Sequence, residues 1–114
     1  MKAVNLCGWL LALTAVTVYL LTLEPTVSFW DCGEFIATAY NLQIPHPPGA
    51  PLYQLLAHLF CLLAGSHVER VALCCNALSA VAAGLTVMFL YWTIERMAGT
   101  GRAARPRVHF VAVA

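Results

Sequence analysis

Two stretches of this chain carry no charged residue over lengths that can cross a bilayer. Val4–Leu23 runs for 20 residues and Val71–Ile94 for 24. At about 1.5 Å per helical residue, each covers a hydrocarbon core of roughly 30 Å. Backbone placed in lipid must satisfy its own hydrogen bonds, so both runs are restricted to helix. Composition agrees: 10% of residues are charged and 61% hydrophobic, whereas soluble domains average about 25% charged. The mean hydropathy is +0.79. These values predict an all-α membrane protein. A third apolar piece, Leu52–Ala64, has 13 residues and reaches only about 20 Å as a helix, so it is expected to lie in the interface.

Charge placement orients the two spans. Lys2 precedes the first, and Arg96, Arg102, Arg105 and Arg107 follow the second. Between them, Glu24, Asp31, Glu34 and Glu69 stand against Arg70, four negative charges to one positive, a net −3. The positive-inside tendency then puts both ends in the cytoplasm and residues 24–70 outside. A cleaved signal peptide is the rival reading of the N-terminus. It fits less well, because the apolar run exceeds the usual core of about 7–15 residues and no small-residue cleavage site precedes Ser28. The first span is therefore expected to be an uncleaved anchor.

After the second span, 95–107 reads as a basic cytoplasmic link, and 108–114 turns apolar again, like the start of a third membrane helix. The chain is accordingly expected to be one piece of a longer polytopic protein, inactive by itself. Small residues Ala77, Ser79, Ala80, Ala82, Ala83 and Gly84 allow close helix approach in lipid, and Phe89, Tyr91 and Trp92 read as an interfacial aromatic belt. Five cysteines, Cys7, Cys32, Cys61, Cys74 and Cys75, show no C-x-x-C spacing and no paired framework. Four of them fall in apolar segments, where cysteine behaves as a small hydrophobe, so no redox role follows from spacing.

The polar segment 24–70 carries whatever chemistry the chain has, since ionisable groups held at a membrane surface are costly. A helix is expected from about 31 to 43, with Phe35, Thr38, Ala39 and Leu42 on one face. Pro45, Pro47, Pro48 and Pro51 then forbid helix, Gly49 frees the tightest bend, and a second helix runs near 52–64 with Pro51 at its first turn. Asp31 followed three residues later by Glu34 is the spacing of a capping box. The same carboxylates, beside the interfacial Trp30, could also accept a proton from a hydroxyl; spacing leaves both roles open. His46, ahead of Pro47-Pro48-Gly49, is either a turn histidine bonded to backbone or a phosphate contact and proton carrier. His58 is expected at a polar edge with Gln54, and His67 in a short connector. No histidine pair has zinc-site spacing, so no metal site is assigned. A Gly-rich phosphate loop, a nucleophile elbow and a basic-aromatic surface are all missing from the sequence, which argues against nucleic-acid partners.

The motif Ser28-Phe29-Trp30-Asp31-Cys32-Gly33-Glu34-Phe35-Ile36-Ala37, with Leu42-Gln43 and His46-Pro47-Pro48-Gly49-Ala50-Pro51-Leu52, strongly resembles the N-terminal part of a membrane glycosyltransferase family. That family is common in bacteria and is similar to the eukaryotic transmembrane protein O-mannosyltransferases. The likeness covers essentially the whole chain, with Pro45 standing where a small residue is usual. It implies a GT-C-type N-terminal segment, in which two transmembrane helices are joined by an extracytoplasmic loop with two juxtamembrane helices. It also implies transfer of a sugar, mannose or similar, from a polyprenyl-phosphate carrier to an acceptor hydroxyl, namely protein Ser/Thr.

On that resemblance Asp31 is the catalytic base and Glu34 its assistant. His46, Trp30 and Tyr53 are substrate contacts, with His46 on the carrier phosphate. The implied partners are the lipid-linked sugar, an acceptor protein and the bilayer. No cofactor is implied, and dependence on a divalent metal is left open. The implied location is a bacterial inner membrane with 24–70 facing the periplasm, or an endoplasmic reticulum with that loop in the lumen. The competing expectation is a non-enzymatic scaffold or lipid-handling module that keeps this fold, with Asp31 and Glu34 serving only to cap a helix.

Overall fold

The computed structural model describes residues 2–103. Four α-helices make up the described chain: α1 (Lys2–Leu21), α2 (Cys32–Asn41), α3 (Pro51–Cys61) and α4 (Val71–Ala103). Short 3₁₀ turns at Leu62–Ala64 and Val68–Arg70 join α3 to α4, and there is no strand among the described residues. Two helical stretches, Ala3–Leu21 and Val68–Gly99, are long and apolar enough to cross a membrane. The described residues are thus all helical, with two candidate membrane-spanning helices where the charge-free runs place them.

The helices α1 and α4 pack antiparallel as a hairpin. Near one end the Trp92 indole lies against Gly8 and meets Trp9 edge-on, with ring centroids 6.1 Å apart. Further along, Gly84 abuts Val16 and the Ala12 carbonyl. Lipid tails are as apolar as leucine, so helices in a bilayer gain little from hydrophobic burial and associate through close contact. Glycines at these crossings give that contact. Of the small residues expected to serve it, Ala80 and Gly84 are buried, while Ala82, Ala83 and Ser79 stay exposed. Trp92 therefore packs between helices, a more specific role than that of a belt residue.

At the other end α2 and α3 cover the start of α4 around a small core of Ile36, Ala39, Ala57, Cys61, Ala64, Val71 and Cys75. The helix α2 is shorter than the expected 31–43. It ends in a Schellman-type turn, with Leu42 at φ 52° and the Gln43 amide bonding to the Thr38 carbonyl at 2.8 Å. That turn swings Leu42 out to 56% exposure, so Ile36, not Leu42, completes the buried face. The expected interfacial helix forms from Pro51 and tightens into 3₁₀ geometry over Leu62–Ala64, where Gly65, at φ 57°, ends it. Beyond Ile94, the first part of the expected basic link continues α4 as helix through Ala103. The expected third helix at 108–114 lies outside the described residues.

Polar groups tie these pieces together. Gln54 and His58, expected at a polar outer edge, face α2. Gln54 Nε2 donates to Thr38 Oγ1 at 3.1 Å, and the Thr38 hydroxyl donates to the Glu34 carbonyl at 2.7 Å. His58 Nδ1 donates to the Ala39 carbonyl at 2.8 Å. On α4, the Asn76 amide donates to the carbonyls of Glu24 (2.9 Å) and Thr26 (3.1 Å). This pins the connector leaving α1, within which the Thr26 backbone N–H and hydroxyl both donate to Glu24 Oε1.

Candidate active site

The connector pinned by Asn76 runs into Trp30 and Asp31. Trp30 has a left-handed backbone (φ 65°) and a side chain 94% exposed. A bulky residue rarely adopts that conformation, which costs of order 1–3 kcal/mol and marks a position held by its surroundings. The turn delivers Asp31 to the N-terminus of α2, but its side chain makes no capping hydrogen bond. Glu34, one turn on, does not reach back either. Its carboxylate crosses to the proline turn, where Oε1 accepts the His46 backbone N–H at 2.7 Å and Oε2 meets His46 Nδ1 at 2.9 Å. The capping-box reading is therefore corrected: both carboxylates are turned towards His46. The physical reason is that one residue, His46, offers Glu34 two donors at once, one of them a charge-assisted partner.

The His46 ring is fixed from three sides. Glu34 holds Nδ1, Nε2 lies 3.9 Å from Asp31 Oδ2, and the Phe35 ring meets the imidazole edge-on at 5.7 Å between centroids. A turn bond from the Gly49 amide to the His46 carbonyl, 3.0 Å, sets the backbone beneath it. The hydrogen bond to Glu34 and then its negative charge raise the His46 pKa above the ordinary histidine value, with a smaller push from Asp31. The same contacts lower the Glu34 pKa, the side-chain bond from His46 first and its backbone N–H second. Imidazolium and carboxylate thus stabilise each other's charged forms.

Beside this cluster a cleft of about 360 Å³ is lined by Trp30, Asp31, Phe35, Tyr53, Asn76 and Ser79, among others. Tyr53 reaches it from α3, its ring 5.8 Å from Phe35. Burial and then the nearby Cys75 thiol raise the phenol pKa, while the Ser79 hydroxyl pulls the other way. Of the five residues singled out in the sequence, Trp30, Asp31 and Tyr53 line the cleft, while Glu34 and His46 stand beside it, joined to each other and close to Asp31. Sequence reasoning missed Asn76 and Ser79, which sit three residues apart on one face of α4. Two polar residues at helical spacing in an apolar span were the signal that could have found them. It also missed Phe35 as the ring linking His46 to Tyr53.

Asp31, Glu34 and His46 each offer one donor atom, and the three lie within 4.8 Å of one another. Such a set could gather a divalent cation. Histidine-pair spacing does not reveal it, because its members come from a helix start and a distant turn. Glu34 is already engaged by His46 through both of its oxygens, so the cluster is coherent as an ion pair by itself.

Fold and site together define an all-helical chain with two candidate membrane-spanning helices and a carboxylate–imidazole cluster beside a cleft that Asp31 lines. Residues 31–111 match the family described as Protein O-mannosyl-transferase TMEM260 N-terminal domain, and the chain belongs to that family. It is 40% identical over 89 residues to Protein O-mannosyl-transferase TMEM260 of Mus musculus, covering 76% of this chain and 12% of the relative. It is 31% identical over 93 residues to Protein O-mannosyl-transferase tmem260 of Dictyostelium discoideum, covering 82% of this chain and 11% of that relative. The chain thus spans about an eighth of the length of these curated relatives. No solved structure matches it significantly.

Proposed function

We propose that this chain supplies the catalytic loop of a GT-C-type glycosyltransferase that moves mannose from a polyprenyl-phosphate carrier to a Ser/Thr hydroxyl of an acceptor protein. The reading rests on the convergence of Asp31, Glu34 and His46, together with the O-mannosyl-transferase names of the relatives. The loop faces away from the cytoplasm, in keeping with the arginines that follow α4. The carrier tail stays in lipid while its phosphate-sugar head reaches the cleft.

In this reading Asp31 is the base. As the acceptor oxygen attacks the anomeric carbon, Asp31 takes the hydroxyl proton, and the carbon–oxygen bond to the carrier breaks with its electron pair leaving on the phosphate. A positioned carboxylate is worth about 10²–10⁴ in rate. His46, whose cationic form Glu34 favours, faces the departing phosphate and offsets its growing charge. Glu34 acts through His46 and so positions the site without touching substrate. Trp30 and Tyr53 flank the sugar.

Sugar transfer by the full-length protein carrying Asp31→Ala or Asp31→Asn tests the assignment. Both variants are expected to fold and to lose about 100-fold or more in kcat, with Asn preserving the shape of the side chain. A folded Asp31→Ala protein that transfers at the parental rate removes Asp31 as base.

A further inference from the structure

Behind the cleft lies a pair of groups that the proposed transfer does not use. Cys61 closes α3 and Cys75 sits in the second turn of α4, and their sulfur atoms are 3.1 Å apart. Both are buried, at 2% and 0% exposure, in a cluster whose other members, Ile36, Ala39, Ala57, Ala64 and Val71, are apolar. An S–H···S contact is a weak hydrogen bond, and at this separation the two sulfurs are already aligned across the α3–α4 junction. A covalent S–S bond is about 2.05 Å long, so closing it requires the sulfurs to approach by only about 1 Å.

We propose that Cys61 and Cys75 form a disulfide in the mature protein, made by exchange with a disulfide-carrying protein oxidase as the chain folds, which staples α3 to α4 behind the cleft. The proposal rests on the reading that the loop side faces a non-cytoplasmic, oxidising compartment. In the exchange, one cysteine thiolate attacks the oxidase disulfide, giving a mixed disulfide and releasing one oxidase thiolate. The second cysteine thiolate attacks that mixed disulfide, closes the Cys61–Cys75 bond and releases the other oxidase thiolate. The pair loses two protons and two electrons, and the oxidase ends as a dithiol. Oxidation comes before the helices fully dock, because the finished core shields both sulfurs. The staple matters to the site because Tyr53 projects from α3, and Asn76 and Ser79 from α4. It fixes the spacing of the cleft's two walls.

Thiol trapping on the full-length protein tests this. Membranes are alkylated without reductant and digested with trypsin, which cuts after Arg70 and separates Cys61 from Cys75. The expected result is a reductant-sensitive link between the 3–70 and 71–96 peptides. The link should persist in Cys74→Ala and be lost in Cys61→Ala and in Cys75→Ala. Unlinked, fully alkylated peptides, or a link that survives Cys75→Ala, overturn the pairing. A link that appears only after diamide treatment overturns oxidation in the cell. A reporter fused within 24–70 then separates the causes: a cytoplasmic signal sinks the outward-facing loop as well, and an external signal sinks the disulfide alone.

Discussion

The α1–α4 hairpin and the α2–turn–α3 cap are held together by opposite means. In the hairpin, association comes from what is missing: Gly8 and Gly84 have no side chain, so a tryptophan and a neighbouring backbone can close on them. In the cap, α2, the proline turn and α3 are joined by side-chain hydrogen bonds that span 12 to 19 residues, such as the His46 ring to the Glu34 carboxylate and the His58 ring to the Ala39 carbonyl. The bilayer explains the difference. Within lipid, apolar contact brings little net gain and geometry decides. At the interface, polar groups leaving water must find partners, and those partners then fix the fold.

The largest effect is expected at Gly84. A Cβ there would lie 3.1 Å from the Val16 backbone nitrogen and 3.3 Å from the Ala12 carbonyl oxygen, besides striking the Val16 side chain. Backbone cannot swing aside, so α1 must move. Gly84→Leu should therefore cost about 1–3 kcal/mol or more in thermal unfolding of the detergent-solubilised protein. At Gly8 the obstacle is the Trp92 ring, which can rotate. The better helix propensity of alanine, about 0.5–1 kcal/mol, offsets part of the clash at both sites, so the difference between them rests on the ring against the backbone. Gly8→Ala should thus cost clearly less than Gly84→Ala. Equal losses at the two sites would show that the Trp92 ring yields no more readily than the α1 backbone, and no loss at either would show that the hairpin is not packed through these glycines.

A second contrast lies inside the cap. Thr38 both receives the Gln54 amide and donates to the Glu34 carbonyl, whereas Gln54 Oε1 is buried with no partner. Thr38→Val leaves the Gln54 amide buried and unpaired, at a cost of about 1–3 kcal/mol. Gln54→Leu removes an unsatisfied acceptor along with the bond and should be close to neutral. If Gln54→Leu is the more damaging in unfolding experiments, the direction of this hydrogen-bond chain is wrong.

The legibility of the two regions in the sequence divides along the same line. Spans, the interfacial helix and the helix–turn–helix loop follow from apolar run lengths, charge and prolines, which are local properties. The motif also picked out residues that converge, because a short helix and a rigid turn leave Asp31, Glu34 and His46 few places to go. What stayed hidden depends on partners far along the chain. The Asp31–Glu34 spacing indicated a capping box until His46, 12 residues from Glu34, offered a better partner. Gln54 and His58 read as an outer polar edge because nothing local reveals that Thr38 and Ala39 lie opposite. Asn76 acts on carbonyls 50 and 52 residues away, beyond any periodicity.

The smallest expected effect is also the most specific to the site. Glu34→Gln keeps an oxygen for the His46 backbone N–H and removes only the charge. In the parent protein His46 has a raised pKa, so its stabilising share is full below the ordinary histidine pKa of about 6.5 and is lost as pH rises through the higher folded value. Glu34 has a lowered pKa, so its share is full above the ordinary carboxylate pKa of about 4.3 and is lost as pH falls through the lower folded value. The pair is therefore strongest between those two ordinary values and weakens on either side. Both groups are exposed, so solvent screens the pair and its effect on overall stability should be slight. The imidazole titration itself should move: in Glu34→Gln the His46 midpoint, followed by NMR, falls towards the ordinary value, and transfer activity loses its alkaline limb at lower pH. An unchanged midpoint would mean that Glu34 does not raise the His46 pKa, and the phosphate-facing role of His46 would lose its physical basis.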